Sequence, residues 1–350
     1  MPELRKDPVI GRWVIIASER SNRPGAEVLN PTLPVGADTC PFCESHELAT
    51  PPEILAFRHD STLPNKSGWW VRVVPNKFPA MQIEGQLVRM GQGMFDMMSG
   101  IGAHEVVIET PSHEMDMADM PLGQIEEVLW AYRERMIDLH RDHRFRYVLI
   151  FKNHGPRAGA TLAHSHSQII ALPIVPKRVL EEVEGARNYY EYKERCVFCD
   201  VIRQEERDNM RIVSENELFI AFHPFASRFP YETWILPRQH ESFFCDIQMV
   251  EVKSLAQVLK RLLTRLKTAL GNPDYNFVIH TAPFADEDLP YFHWHIELIP
   301  QMSTQAGFEW GTGFYINSIS PEDAARRMRG VDAGSDDDEQ DALTGEGATG

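Results

Sequence analysis

The sequence predicts an α+β fold of two tandem repeats, each an antiparallel sheet with a long helix packed on it. Two observations carry this prediction. One order of thiols and imidazoles occurs twice: Cys40-Pro-Phe-Cys43, His113 and His164-Ser-His166-Ser-Gln168 in the first half, then Cys196-Val-Phe-Cys199, His240 and His293-Trp-His295-Ile-Glu297 in the second. A single Cys-x-x-Cys arises readily by chance; two in the same order, each followed by His-x-His, do not. The pattern around them also repeats: strands, a long helix, a strand, a loop, a His-bearing strand.

The elements follow in order. A helix is expected over Leu122–His143, with Ile125, Val128, Leu129, Tyr132, Met136 and Leu139 at helical spacing. The apolar run Tyr147–Phe151 reads as a strand ended by Asn153-His-Gly-Pro, and Gln168–Ile174 as the strand leading out of the His-Ser-His segment. In the second half Met249–Leu270 is helical by Leu255, Val258, Leu259, Leu262, Leu263 and Leu266, with Gly271 as its stop. Asn276–His280 is a strand, Thr281–Pro290 a loop and His293–Pro300 a further strand. The repeats are expected over 1–175 and 176–330, with a disordered acidic tail over 331–350. Residues two apart in a strand share a face, so each His-x-His would turn one ring to a metal and the other to a ligand beside it.

Composition narrows the class. With 350 residues, 43% hydrophobic and 25% charged, the chain suits an ordinary globular protein. The charged start Met1–Trp13 is not a secretory signal, and no run approaches the ~20 apolar residues of a membrane span. Four of five cysteines fall in the two pairs, leaving Cys245, which suits reduced, metal-binding thiols and a cytoplasmic location. The net charge of −16 argues against nucleic acid as a partner. Seven acidic residues and no bases follow Val331, so the folded body stands near −9. A bound phosphate must therefore rely on locally placed arginines and backbone N–H groups.

Each set of two cysteines and two histidines is a complete tetrahedral zinc shell. Only the first carries chemistry beside it. The Gly-rich stretch Asn153–Thr161 leads into His164–Gln168, and a neutral imidazole attacks phosphorus near pH 7 without a separate base. Gln168, two residues beyond His166, can donate its amide to a phosphate oxygen. By residue type alone, both His164 and His166 could be metal ligands. The second set has no such loop, and Glu297 beside His295 would repel phosphate, so that set reads as structural. Iron could replace zinc there, since Cys/His shells are not fully selective.

On these residues the chain resembles the galactose-1-phosphate uridylyltransferase branch of the histidine-triad superfamily, whose members are tandem repeats of that fold. The resemblance runs to about Gly330. Arg20-Ser-Asn-Arg23-Pro24 resembles the family's phosphate and nucleotide segment, and Val74-Pro-Asn76-Lys-Phe78 its segment near base and ribose. The resemblance implies phosphate contacts from Asn153, Gly159, Thr161 and Gln168, and makes His166 the nucleophile. It makes Cys40, Cys43, His113 and His164 the first zinc site, with His104 a rival for the place of His113. Cys196, Cys199, His240 and His293 form the second. A homodimer is also expected.

Two departures bear on specificity. Ser165 stands where the family usually has Pro, and the Lys expected before Gly307-Phe-Glu309 is missing, although Glu309 remains to hold sugar hydroxyls. Ser165 and the ending Gly311–Asn317 resemble the ADP-glucose phosphorylase subgroup instead. The implied reaction is double displacement: His166 takes the nucleotidyl group of a nucleotide sugar, and a sugar 1-phosphate or phosphate removes it. UDP-glucose with galactose 1-phosphate is the expected pair, with ADP-glucose phosphorolysis as the alternative. A histidine-triad hydrolase and a non-enzymatic nucleotide-binding module are the rivals.

Overall fold

A computed structural model describes residues 1–9, 11–19, 36–284 and 288–331. The acidic segment 332–350 lies outside them. The chain opens with β1 (Glu3–Lys6) and β2 (Trp13–Ile16), followed by β3 (Leu55–Arg58), β4 (Trp69–Pro75), β5 (Arg89–Gln92), β6 (Phe95–Ser99) and β7 (Ala103–Ile108). Helix α1 (Leu122–His140) leads to β8 (Tyr147–His154) and β9 (His166–Leu172), and α2 (Lys177–Lys193) and α3 (Val197–Asp208) follow. The second half continues with β10 (Ile212–Glu215), β11 (Phe219–Phe222), β12 (Thr233–Pro237), α4 (Met249–Leu270), β13 (Tyr275–His280) and β14 (His295–Pro300). Short helices α5 (Gly307–Thr312) and α6 (Pro321–Arg329) close it.

The expected two sheets are one. A ten-stranded antiparallel sheet runs β3-β4-β7-β9-β8-β13-β14-β12-β11-β10, joined where β8 pairs with β13. Counting only the strands of this sheet, the order from each outer edge inward is the first, second, third, fifth and fourth of that half, so the duplication extends to topology. Edge-to-edge pairing removes two exposed strand edges that separate repeats would each leave open. A second sheet, β2-β1-β6-β5, belongs to the N-terminal half alone.

Each long helix connects the third strand that its half gives to the ten-stranded sheet with the fourth, and α1 and α4 pack against one another. The stripe predicted for α4 is buried from Leu255 to Leu266, and the helix is bounded by a Gln248–Glu251 capping box and by Gly271 at φ +74°. Helix α1 stops at His140, three residues short of the expectation. Beyond it Asp142 accepts from the Arg144 N–H at 3.0 Å and holds its guanidinium, a local turn that competes with helix. Helices α2 and α3, mostly polar with few buried residues, are additional to the expected elements. Strands β9 and β14 begin at His166 and His295, so the first histidine of each pair lies just before its strand. Among the described residues no helix is long and apolar enough to cross a membrane.

Candidate active site and metal centres

The first cysteine pair follows a short 3-10 turn, Ala37–Thr39, while Cys196 caps α3 and Cys199 sits in its first turn. Cys40, Cys43, His113 and His164 converge in one group, and Cys196, Cys199, His240 and His293 in another. In the first, Cys43 Sγ lies 3.3 Å from His113 Nδ1 and 3.5 Å from His164 Nδ1, and Cys40 Sγ lies 3.7 Å from His164 Nδ1. In the second, Cys199 Sγ lies 3.5 Å from His240 Nδ1 and 3.6 Å from His293 Nδ1. A tetrahedral zinc with ordinary Zn–S and Zn–N bonds sets such S···N edges at roughly 3.6 Å. Backbone carbonyls fix the rings: His164 Nε2 donates to Thr110 O at 2.7 Å and His293 Nε2 to Pro237 O at 2.9 Å, which leaves both Nδ1 lone pairs facing the cluster. Both donor sets fit zinc. Iron at the second site finds no support in these contacts. His104 stands apart from the first group on β7, so His113 completes it.

His166, the first residue of β9, is held differently. Its Nδ1–H donates to the His164 carbonyl at 2.7 Å, so the lone pair belongs to Nε2. Burial, with the Lys152 ammonium nearby, pushes its pKa down to about 4, against the pull of that carbonyl. The ring is therefore neutral near pH 7, with one nitrogen able to attack. The Phe42 ring packs its edge near it, centroids 5.2 Å apart.

Behind the strand lies a buried charged cluster that the sequence did not reveal. Lys152 Nζ meets Glu109 Oε2 at 2.5 Å, Ser165 Oγ at 2.9 Å and the His166 carbonyl at 3.2 Å. Ser165 donates to Glu109 at 2.7 Å, and Tyr132 OH bridges Glu109 and Ser167. Burial alone would raise the Glu109 carboxyl, yet Lys152 holds it below the ordinary range. Ser165 thus has a definite use. Proline there would remove the hydroxyl that links Lys152 and Glu109.

Two carboxamides face the site with their orientations fixed. His104 Nδ1 accepts the Ala80 N–H at 3.0 Å, so its proton sits on Nε2 and is donated to Gln168 Oε1 at 2.9 Å. The Gln168 amide nitrogen is thereby turned away from His104. Asn153 Oδ1 accepts from Asn276 at 2.8 Å, and a Cβ built on Gly159 would lie 3.8 Å from Asn153 Nδ2. The approach loop bends at Gly155 and Gly159, with φ of +81° and +90°, which only glycine adopts without strain. Thr161 is exposed at its end. Asn76, after β4, accepts from the Phe78 N–H at 2.9 Å and packs beside His104.

Arg20 and Arg23 lie outside the described residues. Glu309 belongs to α5 and not to a strand, and its carboxylate accepts the Ala306 N–H at 3.1 Å, capping its own helix.

The second repeat closes the corresponding site with charge. His295 Nδ1 lies 3.1 Å from the His293 carbonyl, the counterpart of His166 and His164. His280 pairs with His295 across β13–β14, and extending the β8–β9 register by one residue sets Asn153 opposite His166. His280 contacts Glu182 at 3.1 Å and Glu297 at 3.4 Å, while Arg228 binds Glu297 at 2.7 Å. Burial would lower the His280 pKa, but the two carboxylates raise it to about 10. Where the first repeat has Asn153 and Gln168, the second has a buried imidazolium and carboxylate.

Known proteins share this arrangement over nearly the whole chain. The family profile described as galactose-1-phosphate uridyl transferase, N-terminal domain, matches residues 1–176, and one for a domain of unknown function matches 115–339. ADP-glucose phosphorylase of Arabidopsis thaliana is 38% identical over 94% of this chain and 93% of its own. Galactose-1-phosphate uridylyltransferase of Thermotoga maritima is 32% identical over 94% and 98%. A crystal structure of the Arabidopsis ADP-glucose phosphorylase with bound ADP-glucose superimposes with a TM-score of 0.73 at 36% identity, covering 95% of this chain and 99% of that one. A uridylyltransferase structure gives 0.77 at 29% identity, covering 94% and 97%. The two curated relatives are thus named for chemistry on a nucleotide sugar or a sugar phosphate. This chain belongs to the galactose-1-phosphate uridylyltransferase family.

Proposed function

We propose that the protein is a hexose-1-phosphate nucleotidylyltransferase of the galactose-1-phosphate uridylyltransferase type, working by double displacement. The observation that carries this is His166: neutral, its tautomer fixed by the His164 carbonyl, and flanked by two oriented amide donors. His166 Nε2 forms a bond to the α-phosphorus of a nucleotide sugar. The P–O bond to the sugar 1-phosphate breaks, and the departing oxygen keeps its electron pair. The ring then carries positive charge, which the Nδ1–H···O=C bond to His164 steadies. An oxygen of the second phosphate attacks the same phosphorus and returns the ring to neutrality. Gln168 and Asn153 donate to the non-bridging oxygens, with Thr161 and the Gly159 backbone at the loop mouth. Asn76, Arg20, Arg23 and Glu309 belong to the same reading as nucleotide and sugar contacts.

Zinc in the first cluster would hold Cys40, Cys43, His113 and His164 and so fix the start of β9. In the second it would tie α3 to the loops bearing His240 and His293. A homodimer fits this reading, with exposed Phe308, Trp310 and Phe314 offering apolar area, and analytical ultracentrifugation checks it.

Ser165 favours a second donor. Its resemblance to the ADP-glucose phosphorylase subgroup and the 38% identity to an ADP-glucose phosphorylase both support ADP-glucose, with phosphate as acceptor. Initial rates with UDP-glucose or ADP-glucose against varied galactose 1-phosphate or phosphate test both readings. Parallel double-reciprocal lines are expected for the true pair. Turnover independent of any acceptor would instead mean hydrolysis.

A further inference from the structure

The strands that join the two repeats place Asn276 of β13 directly opposite Asn153 of β8. Asn276 Nδ2 donates twice, to Asn153 Oδ1 at 2.8 Å and to the backbone carbonyl of Ala158 at 2.9 Å. Gln301 Nε2 donates to Asn276 Oδ1 at 2.6 Å. A backbone carbonyl can only accept, so the Ala158 contact settles which way the Asn276 amide faces. That in turn requires the oxygen of Asn153 toward Asn276 and its nitrogen toward the loop mouth at Gly159. The same short stretch anchors the loop a second time. Asp274 accepts the Arg157 N–H at 2.5 Å, and a Cβ on Gly155 would run into its carboxylate.

We propose that Asn276, in the repeat without a nucleophile, is a positioning residue for the reaction in the first repeat: it holds Asn153 with its N–H groups toward the phosphate and fixes the Pro156–Ala158 turn. A carboxamide without this partner flips between two nearly isosteric orientations, one of which points a carbonyl oxygen at the phosphate. Held by Asn276, it stays a donor. The fused sheet therefore does more than cover edges, since it carries the second repeat's side chains to the loop of the first. The inference rests on His166 as nucleophile and on Asn153 as a phosphate contact.

The test is single-turnover formation of nucleotidyl-enzyme with saturating nucleotide sugar and no acceptor, in wild type, Asn276→Ala, Asn276→Asp, Asn153→Ala and the doubles. Outright loss of a preorganised donor costs about 10²–10³-fold, so Asn153→Ala should fall near that and Asn276→Ala roughly tenfold. Asn276→Asp keeps the shape but can only accept, which turns the Asn153 carbonyl outward, so it should be slower than Asn276→Ala. In the Asn153→Ala background both substitutions at 276 should lose most of their effect. Zinc content and Tm report the fold, and the isosteric Asp variant stands in should Ala disturb it. Wild-type rates in the 276 variants, or effects that persist undiminished without the Asn153 side chain, would overturn the proposal and leave the His166 reading intact. No adduct in the wild type with either UDP-glucose or ADP-glucose would overturn that reading and this inference with it.

Discussion

Lys152 and Glu109 are both out of water, and each is the other's main compensation. Lys152→Met should therefore destabilise by about 3–5 kcal/mol, because it strands a buried carboxylate; adding Glu109→Gln should recover part of that. Urea melts of the two variants check the order. Gln168 lies on the opposite face of β9 from that cluster. Gln168→Ala should slow nucleotidyl transfer about 10²–10³-fold. His104→Phe should slow it less and add little to Gln168→Ala, which a double-mutant cycle on single-turnover rates measures. His166 was legible as the candidate nucleophile because His-Ser-His-Ser-Gln and a Gly-rich approach lie close along the chain. His104 was read only as a rival zinc ligand. Its use depends on the Ala80 N–H, a backbone group 24 residues away, which residue types do not encode. Lys152 gave no signal either, because a lysine beside an apolar run is ordinarily solvated.

The two central strand pairs, β8–β9 and β13–β14, are the same element put to different ends. In the first, amides remain to face a ligand; in the second, His280, Glu297, Glu182 and Arg228 neutralise one another, stacked against neutral His295. This sets a pH dependence of stability. The folded pKa of His280, about 10, lies above its ordinary 6.5, so its contribution is complete below ~6.5 and is lost as pH rises through that range. Glu297 is depressed, so its contribution is present above ordinary carboxylate pKa values and is lost in acid. His280→Gln should flatten the decline in stability between pH ~7 and ~10, whatever it does to the absolute value. Denaturation midpoints across that range read the slope. The sequence flagged Glu297 as unfit for phosphate but did not name its partners. Glu182 and Arg228 are distant in the chain, and reach His280 and Glu297 respectively only through α2 and the loop before β12.

At the scale of the molecule, the two long helices and the strands that follow them were legible because their apolar spacing is local. The union of both repeats into one sheet was not. Nothing in Tyr147–Phe151 or Asn276–His280 distinguishes a strand that ends a sheet from one that continues it, since both are flanked by polar loops. The duplicated thiols were legible for the opposite reason: metal shells need particular residue types at short spacing. Their consequences should differ between repeats. On the proposal that both clusters hold zinc, Cys199→Ser should release one of the two ions and lower Tm, while adduct formation persists in the folded fraction. Cys43→Ser should release the other and slow adduct formation, because His164 and the start of β9 lose their anchor. Zinc analysis beside single-turnover rates separates the two.

The central claim is a covalent nucleotidyl group on His166. Intact-protein mass spectrometry after brief mixing with UDP-glucose or ADP-glucose, without acceptor, tests it most directly. A uridylyl or adenylyl mass increment in the wild type is expected, absent from His166→Ala while that variant keeps both zinc ions and its Tm. An adduct that survives His166→Ala, or a variant that loses zinc and fold together, would contradict the account.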